Sequence, residues 1–250
     1  MYKIIKILFE KFIPDRFYLI TVLIFNRIRE SHEYELFAMQ KFLKKKRRFI
    51  DIGGNRGIYS FFYSSHFKKI ECFEPIKEIT NKLASSRKKN ISIHNIGLSD
   101  KNAQKILYIP YIKKTLATPL ASLNKPVKTE YLERKINIKA LDDFKFKDVD
   151  FIKIDVEGNE LNVIKGSIKT IEKYKPILLI EIEQRHNQEN IESIFNFIKS
   201  LGYDGFFFKN KIKESLDKFN YEIDQKKYLK NPDSKKYINN FFFIPNKKKD

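Results

Sequence analysis

The chain has 250 residues, 42% of them hydrophobic, which is enough to bury the core of one sizeable α/β domain and excludes wholesale disorder. Its single cysteine, Cys72, excludes a disulfide framework and a multi-cysteine zinc site, and it favours a reducing compartment, the cytoplasm. The formal net charge of +19 suggests an acidic partner, such as an anionic acceptor or membrane surface, although a lysine-rich composition alone explains the same charge.

Residues 1–42 come first in the chain and are predicted to form a helical extension. This segment is apolar, but charged residues and Pro14 interrupt it, and its longest apolar run, FYLITVLIF, is about half the length of a membrane-spanning helix. No small-residue cleavage site follows, so the segment does not resemble a signal peptide. We expect a helical cap on the domain. An amphipathic anchor at the inner membrane surface stays open as an alternative.

From residue 43 to residue 250, strand-like and helix-like segments alternate. Short apolar runs predict seven strands: FIDIGG, KKIECFEP, ISIHNIGLSD, VDFIKIDVEG, KPILLIEIEQ, GYDGFFFKN and NNFFFIPN. Amphipathic segments between them predict helices: GIYSFFYSSHF, IKEITNKLASSRKK, NELNVIKGSIKTIEKY and NIESIFNFIKSLGY. Residues 101–139 are predicted as an insertion that carries short strands or a lid. This order predicts one Rossmann-like domain with a mostly parallel seven-stranded sheet and helices on both faces.

Acidic residues follow most of the predicted strands, at the edge where open α/β sheets bind their ligands. They are Asp51, Glu74, Asp100, Asp155, Glu157, Glu181 and Glu183. The turn DIGGNRG at 51–57 lacks both the glycine spacing of a dinucleotide site and the Gly-Lys-Ser/Thr of a P-loop. An acid directly before a glycine turn suits a ligand with an ammonium group, such as S-adenosylmethionine. An acid at the position of Glu74 can accept hydrogen bonds from ribose hydroxyls.

Several blocks, in order along the chain, resemble the FkbM-type methyltransferase family. They are DIGGNRG at 51–57, FEP at 73–75, GLSD at 97–100, LDDF at 141–144 and FIKIDVEGNE at 151–160, followed by VIKG and KPILLIEI. The resemblance implies a class I S-adenosylmethionine-dependent methyltransferase fold and, most often, O-methylation of sugars or secondary metabolites. One departure is Gly54, where alanine is more usual in the family. This change between two small residues is expected to have little effect.

The same resemblance implies which residues bind the cofactor. Its methionine end would lie against the turn formed by Asp51, Gly53, Gly54, Asn55 and Gly57. Glu74 would bind the ribose, Ser99 and Asp100 would lie near the adenine, and Asp155 would lie beside the transferable methyl group. For Asp51 and Glu74, the position at a strand end supports the same role independently. For Ser99 and Asp100, an ordinary turn role stays open.

Methyl transfer to a neutral alcohol also needs a proton acceptor, and the candidate catalytic residues are Asp155 and His186. Glu157 and Glu160 begin a predicted helix, so we interpret them as capping or surface residues. No metal site is predicted. Binding of a divalent metal such as Mg²⁺ by Asp155 with Glu181 and Glu183 stays open, because carboxylates at neighbouring strand ends can coordinate it.

We therefore predict an S-adenosylmethionine-dependent O-methyltransferase acting on a hydroxyl of a glycan, glycolipid or related metabolite. Two other functions stay open: a nucleic-acid methyltransferase that uses the basic surface, and a non-catalytic binding protein with the same fold. The sequence contains no recognisable RNA-binding module, which argues against the nucleic-acid methyltransferase. Peripheral membrane association is compatible with the charge.

Overall fold

The computed structural model describes residues 34–85, 88–127, 129–232 and 234–246. Most of the predicted extension, residues 1–33, therefore lies outside the described residues, together with the proposed break at Pro14 and the amphipathic anchor. The described end of the extension is helical and packs Leu36 and Met39 onto the sheet. No helix in the described part of the chain is long and apolar enough to cross a membrane.

The described residues form twelve strands and seven α-helices. The strands are β1 (Arg48–Ile52), β2 (Lys69–Phe73), β3 (Ile91–His94), β4 (Gly97–Leu98), β5 (Ala103–Ile112), β6 (Thr115–Leu116), β7 (Tyr131–Lys139), β8 (Val149–Ile154), β9 (Ile177–Glu181), β10 (Tyr203–Lys209), β11 (Ile212–Ser215) and β12 (Asn240–Pro245). The helices are α1 (Tyr34–Ala38), α2 (Ile58–Tyr63), α3 (Lys77–Ala84), α4 (Glu160–Lys165), α5 (Ile168–Tyr174), α6 (Ile191–Ser200) and α7 (Tyr221–Asp224).

Eight strands form the main sheet, in the order β11-β10-β12-β9-β8-β1-β2-β3. The strands from β9 to β3 pair in parallel, whereas β12 pairs antiparallel with both β9 and β10. The Rossmann-like arrangement is confirmed, but the sheet is mixed and has one strand more than predicted. The additional strand, β11, pairs antiparallel with β10 across a turn in which Asn210 and Lys211 both have positive φ. Because neither residue is glycine, this turn carries no clear hairpin signal in the sequence.

Both faces of the main sheet are covered by helices, as the sequence predicts. Consecutive residues of β1 show this, because Phe49 packs with α1 and α2, whereas Ile50 packs with α4, α5 and α6. Both side chains are fully buried, and successive side chains of a strand point to opposite faces. The central strands therefore read as continuous apolar runs whose carboxyl ends open at one edge.

The predicted insertion carries strands, and they form a second sheet in the order β4-β7-β5-β6. Its main unit is the long antiparallel hairpin of β5 and β7. The segment ISIHNIGLSD was predicted as one strand but is divided between β3 in the main sheet and β4 in the small sheet. The helix predicted over NELNVIKGSIKTIEKY is likewise broken at Gly166, because a Cβ there would lie 2.0 Å from the carbonyl oxygen of Ser99.

Candidate active site

A cleft opens at the carboxyl ends of β1, β2 and β8, with the insertion along its other side. Its open space, including the part that is continuous with solvent, is about 650 Å³. The polar residues that line it come from the turn after β1, the end of β2 and the loop after β8: Asn55, Glu74, Asp155, Glu157 and Asn159. Apolar lining comes from the insertion and the small sheet, including Leu98, Leu107, Leu123, Ile136 and Ile138.

The turn after β1 is pressed between the ends of two neighbouring strands. The amides of Gly53 and Gly54 both donate to the carbonyl oxygen of Phe73 at 3.0 Å. Gly53 has φ +72, and a Cβ there would lie 1.8 Å from the carbonyl oxygen of Asp155. At Gly57, with φ +74, a Cβ would lie 2.3 Å from the side chain of Leu83. Gly53 and Gly57 are therefore fixed as glycine by conformation and by lack of space.

Gly54, where the related sequences more often have alanine, packs against Cys72. A Cβ at Gly54 would lie 2.3 Å from Sγ of Cys72, which is fully buried in β2. An alanine would force that sulfur to move. Gly54 and Cys72 are therefore matched in size, so a replacement of Gly54 by alanine would disturb the packing more than the sequence alone indicates.

Asp51, at the end of β1, is fully buried and anchors the start of α2. Its Oδ2 accepts hydrogen bonds from the amide of Ser60 at 3.0 Å and from the Ser60 hydroxyl at 2.6 Å. Burial raises the pKa of Asp51, although the Lys153 ammonium and the Ser60 hydrogen bonds oppose that effect. Its side chain is not among those that line the cleft, but Oδ1 is buried without a hydrogen-bond partner among the described residues.

Glu74 lies in the cleft wall at the end of β2 and accepts two backbone hydrogen bonds. Oε2 accepts from the amide of Asn55 at 2.9 Å, and Oε1 accepts from the amide of Ile76 at 2.8 Å. Burial raises the pKa of Glu74 to about 7, with the amide hydrogen bonds opposing the shift and the carboxylates of Asp155 and Asp51 adding to it. Each oxygen keeps a free lone pair, so the carboxylate can still accept from a ligand diol.

Ser99 and Asp100 follow β4 and lie outside the set of residues that line the cleft. The Ser99 hydroxyl donates to Oδ1 of Asp100 at 3.2 Å, and Asp100 is exposed. Gly97 and Leu98, the two residues just before them, line the cleft instead. The structure therefore gives Ser99 and Asp100 a turn geometry. Their contact with an adenine stays a prediction.

Asp155, the predicted neighbour of the methyl group, lies in the cleft and forms an ion pair with Lys153. The Lys153 ammonium is 3.0 Å from Oδ2 of Asp155 and lies in a side chain that is only 7% exposed. Burial by itself lowers the pKa of Lys153, but the carboxylates of Asp155, Asp51 and Glu181 outweigh it and raise the pKa overall. Lys153 was not predicted as a site residue, although it directly pairs with Asp51 in the register of β1 and β8.

His186, the predicted base, lies behind the cleft wall rather than in it. Its Nε2 is 3.2 Å from Oε2 of Glu157 and 3.8 Å from Oε2 of Glu183. These distances suit an ion pair, but no hydrogen bond forms to Nε2 within the described part of the chain, because the groups are not aligned. Burial lowers the pKa of His186, and the Arg185 guanidinium lowers it further.

Glu157 lines the cleft, although the sequence assigned it to capping. The first helical residue after it is Glu160, which is buried and accepts from the amide of Gly158 at 2.8 Å. The capping interpretation therefore suits Glu160 better than Glu157. A signal was available in the alternation of the KIDVEG block, because Lys153, Asp155 and Glu157 are two residues apart and end an apolar strand.

The open question of a metal concerns Asp155, Glu181 and Glu183, whose carboxylates all have partners within the protein. Asp155 is paired with Lys153, Glu181 accepts from Asn239 at 2.6 Å, and Glu183 accepts from Arg185. Within the residues that the structure describes, no three His, Cys, Asp or Glu side chains form a group that could hold a metal ion. These carboxylates thus accept hydrogen bonds from side chains and cations of the protein itself.

Comparison with known proteins places this site in a family. The family model of the methyltransferase FkbM domain matches residues 51–204, which is more than half of the chain. The chain belongs to the FkbM methyltransferase family. This membership agrees with the resemblance that the sequence blocks indicated. No curated protein matches the chain significantly.

Solved structures resemble the FkbM-family fold of this chain at low identity. A methyltransferase FkbM from Methylobacillus flagellatus KT matches with a TM-score of 0.52 and 16% identity, covering 80% of this chain and 44% of that one. This chain thus spans less than half the length of that relative. SMU.1697c from Streptococcus mutans, in complex with SAH, matches with a TM-score of 0.45 and 13% identity over 81% of this chain and 90% of that chain. A SAM dependent methyltransferase from Aquifex aeolicus matches with a TM-score of 0.44 and 11% identity, covering 88% of this chain and 92% of that chain.

Proposed function

We propose that this enzyme transfers a methyl group from S-adenosylmethionine to a hydroxyl of a neutral polyhydroxyl acceptor, such as a glycan or a glycolipid headgroup. A single observation carries the proposal. Among the described residues, three buried side-chain polar atoms lack a hydrogen-bond partner: Oδ1 of Asp51, Oδ1 of Asn55 and Nε2 of His186. Buried polar atoms are normally paired, so unpaired ones mark a candidate site, and of these three residues Asn55 lines the cleft.

The residues at the glycine turn fit the cofactor. The unpaired oxygens of Asp51 and Asn55 are acceptors, which suits the ammonium of its amino-acid end, and the carboxylate of Glu74 suits its ribose diol. When bound, S-adenosylmethionine supplies an electrophilic methyl group on a sulfonium. The protein's part is to hold a hydroxyl in line with that group and to exclude water from the cleft.

The acceptor end of the cleft favours a neutral acceptor. The charged residues that line the cleft are all acidic, namely Glu74, Asp155 and Glu157, and the neighbouring cations Lys153 and Arg185 are paired with Asp155 and Glu183. An anionic acceptor would meet like charge, and no cation among the described lining residues would offset it. The anionic acceptor suggested by the net charge is therefore the weaker choice. We assign the basic surface to solvation or to docking, and the reaction to the cytoplasm, where Cys72 stays reduced.

The test is transfer of tritium-labelled methyl groups to three acceptors: a neutral oligosaccharide library, a matched set of uronic-acid oligosaccharides, and total RNA. We expect label in the neutral set, at least tenfold above the uronic-acid set, and stable to alkali, because a methyl ether resists alkali and a methyl ester does not. The matched control is the Gly53→Ala variant, which loses the turn at the cofactor site. Label only in RNA, or only in an alkali-labile form, would contradict the proposal.

A further inference from the structure

The predicted base and the cleft are separated by one side chain. His186 is absent from the cleft lining, whereas Glu157 is part of it, and Oε2 of Glu157 lies 3.2 Å from Nε2 of His186. A hydroxyl in the cleft can therefore reach the carboxyl group but not the imidazole. In ligand-free enzymes, catalytic hydrogen bonds are often long or poorly aligned, so the misalignment of these two groups does not count against contact in the working complex.

The backbone holds Glu157 and His186 together. Glu157 has φ +53, an unusual value for a residue with a long side chain, and its carbonyl oxygen accepts from the Ser122 hydroxyl at 2.5 Å. The next residue, Gly158, has φ +99, and a Cβ there would lie 2.2 Å from the carbonyl oxygen of His186. Asn124 donates to that same carbonyl oxygen at 3.0 Å. Hydrogen bonds and close backbone contacts thus hold the loop after β8, the loop after β9 and the insertion together here.

The other charged groups near this pair have partners of their own. Asp155 is paired with Lys153, and Glu183 accepts from Arg185 and from the Tyr237 hydroxyl. Glu160 accepts from the amide of Gly158 and, at 3.1 Å, from Asn187, and Glu181 accepts from Asn239. The side chains of Glu157 and His186 are therefore left to interact with each other and with a ligand.

We propose that Glu157 is a catalytic residue that receives the proton of the acceptor hydroxyl and passes its own proton to Nε2 of His186. This relay deepens the proposed function and rests on it. It gives His186 its predicted role as the final base from a position behind the cleft wall. It also assigns chemistry to a residue that the sequence interpreted as a cap.

The proposed step balances as follows. Before transfer, the pair holds one proton, on Glu157. As the O–H bond of the acceptor breaks, its proton goes to one oxygen of Glu157 while the proton on the other oxygen goes to Nε2 of His186. The electron pair of the O–H bond forms the new bond from oxygen to the methyl carbon, and the carbon–sulfur bond breaks with its electron pair left on sulfur. The positive charge of the sulfonium ends on the imidazolium.

The electrostatics of the pair agree with one shared proton. Burial raises the pKa of Glu157, and the carboxylates of Asp155, Glu183 and Glu160 raise it further, with Arg185 opposing. Burial lowers the pKa of His186. Both shifts favour a proton on the carboxyl group rather than on the imidazole. Two groups that interact in this way take up protons in two macroscopic steps that belong to the pair.

The test uses full-length protein labelled with ¹⁵N-histidine, followed by NMR from pH 5 to pH 9. The His186→Asn variant assigns the His186 signals, and His66, at the opposite edge of the sheet, is the internal reference. We expect two titration steps at His186 in the wild type and one in Glu157→Gln. The exposed Glu192→Gln variant is the matched control and should titrate like the wild type. Identical His186 titration in the wild type and Glu157→Gln would overturn the relay.

A second arm separates failure of the relay from failure of the proposed function. S-adenosylmethionine binding to Glu157→Gln should match the wild type in calorimetry, whereas kcat with any acceptor found should fall by about 100-fold or more. Wild-type protein that does not bind S-adenosylmethionine would remove the proposed function itself. Binding with an unchanged kcat in Glu157→Gln would remove only the relay.

If Glu157→Gln does not fold, the variant Glu157→Asp replaces it in the test, since it keeps the carboxyl group but moves it away from Nε2. Its kcat should fall while both titration steps remain, and an unchanged kcat would contradict the relay.

Discussion

The proposed cofactor end of the cleft, at the glycine turn and Glu74, and the proposed acceptor end, around Glu157 and His186, are built from the chain in different ways. The cofactor end is local: the turn after β1 and the residues around Glu74 are held by backbone amides of the same two βα units. The acceptor end joins the loop after β8 and the loop after β9 to the insertion, and it is held by side chains such as Asn124 and Tyr237. One end can be described by a short motif, whereas the other depends on long-range contacts.

This difference also separates the two kinds of recognition. A turn fixed by glycine conformation suits a ligand that never changes, which is what a family needs for its shared cofactor. A site assembled from an insertion and two loops can change its shape without disturbing the sheet, which suits an acceptor that differs between enzymes. Lys153 connects the two ends, because its ammonium interacts electrostatically with the carboxylates of Asp51, Asp155 and Glu181.

The largest expected effect comes from removing that connection. Lys153→Met would leave the buried carboxylate of Asp51 and the half-buried carboxylates of Asp155 and Glu181 without their cation, and we expect a loss of about 3–5 kcal/mol in the free energy of unfolding. Urea unfolding followed by circular dichroism measures it. Lys165→Met, at an exposed position in α4, is the matched control and should change stability by less than about 0.5 kcal/mol. Equal stability of the two variants would show that the two ends are not electrostatically connected.

The second prediction isolates the cofactor end. Gly53→Ala places a methyl group 1.8 Å from the carbonyl oxygen of Asp155, so the turn must move, and we expect the affinity for S-adenosylmethionine to fall by about 100-fold or more. Gly202→Ala is the control, because Gly202 also has positive φ (+82) but a Cβ there would meet nothing closer than 3.7 Å. Both variants carry a similar backbone penalty, so only Gly53→Ala should lose binding. Calorimetry measures the affinity of both variants for S-adenosylmethionine, after each has been shown to unfold cooperatively.

A pH dependence sharpens the role of Glu74. The ionised carboxylate accepts hydrogen bonds from both hydroxyls of a diol, so binding favours ionisation and releases a proton. With the pKa of free Glu74 at about 7, the ionised fraction rises from about 10% at pH 6 to about 90% at pH 8. We therefore expect the affinity for S-adenosylmethionine to rise about tenfold over that interval. Glu74→Gln, measured alongside to remove the cofactor's own ionisation, should lack this increase. A parallel increase in both proteins would place the titrating group elsewhere.

The smallest predicted effect tests the acceptor end. Asn124→Ala removes the hydrogen bonds from the insertion to the carbonyl oxygens of His186 and Gly158, and we expect a loss of about 1 kcal/mol in stability. Affinity for S-adenosylmethionine should stay within twofold of the wild type, because the glycine turn is untouched. The NMR signals of His186 should shift. Weakened cofactor binding in this variant would mean that the two ends are not separate units.

The same comparison explains what the sequence could predict. The order of the main strands along the chain, the helices on both faces and the turn at 51–57 follow from short-range patterns, and the structure has them where they were predicted. The division of ISIHNIGLSD between two sheets does not follow, because it depends on pairing with β7, about forty residues further along. The strand β11 was missed because lysine and asparagine occupy its turn where glycine would have marked it.

At the site, local position was a better guide than residue type. Asp51 and Glu74 were selected because they end strands, and both lie at the glycine turn. His186 does not line the cleft but lies beside Glu157, and its role as a base stays a prediction. Nothing in the sequence marks that contact, which joins residues from two different loops. Lys153 was overlooked because a lysine within an apolar strand has no meaning until its carboxylate partners are known.

The most direct test of the whole account is calorimetric titration of S-adenosylmethionine into the wild type, Glu74→Ala and the exposed control Glu78→Ala. We predict micromolar binding to the wild type, unchanged binding to Glu78→Ala, and about 100-fold weaker binding to Glu74→Ala, the effect of two lost hydrogen bonds to a charged group. Equal affinity of Glu74→Ala and the wild type would contradict the assigned ribose site. A folded wild-type protein that binds no cofactor would contradict the proposed function.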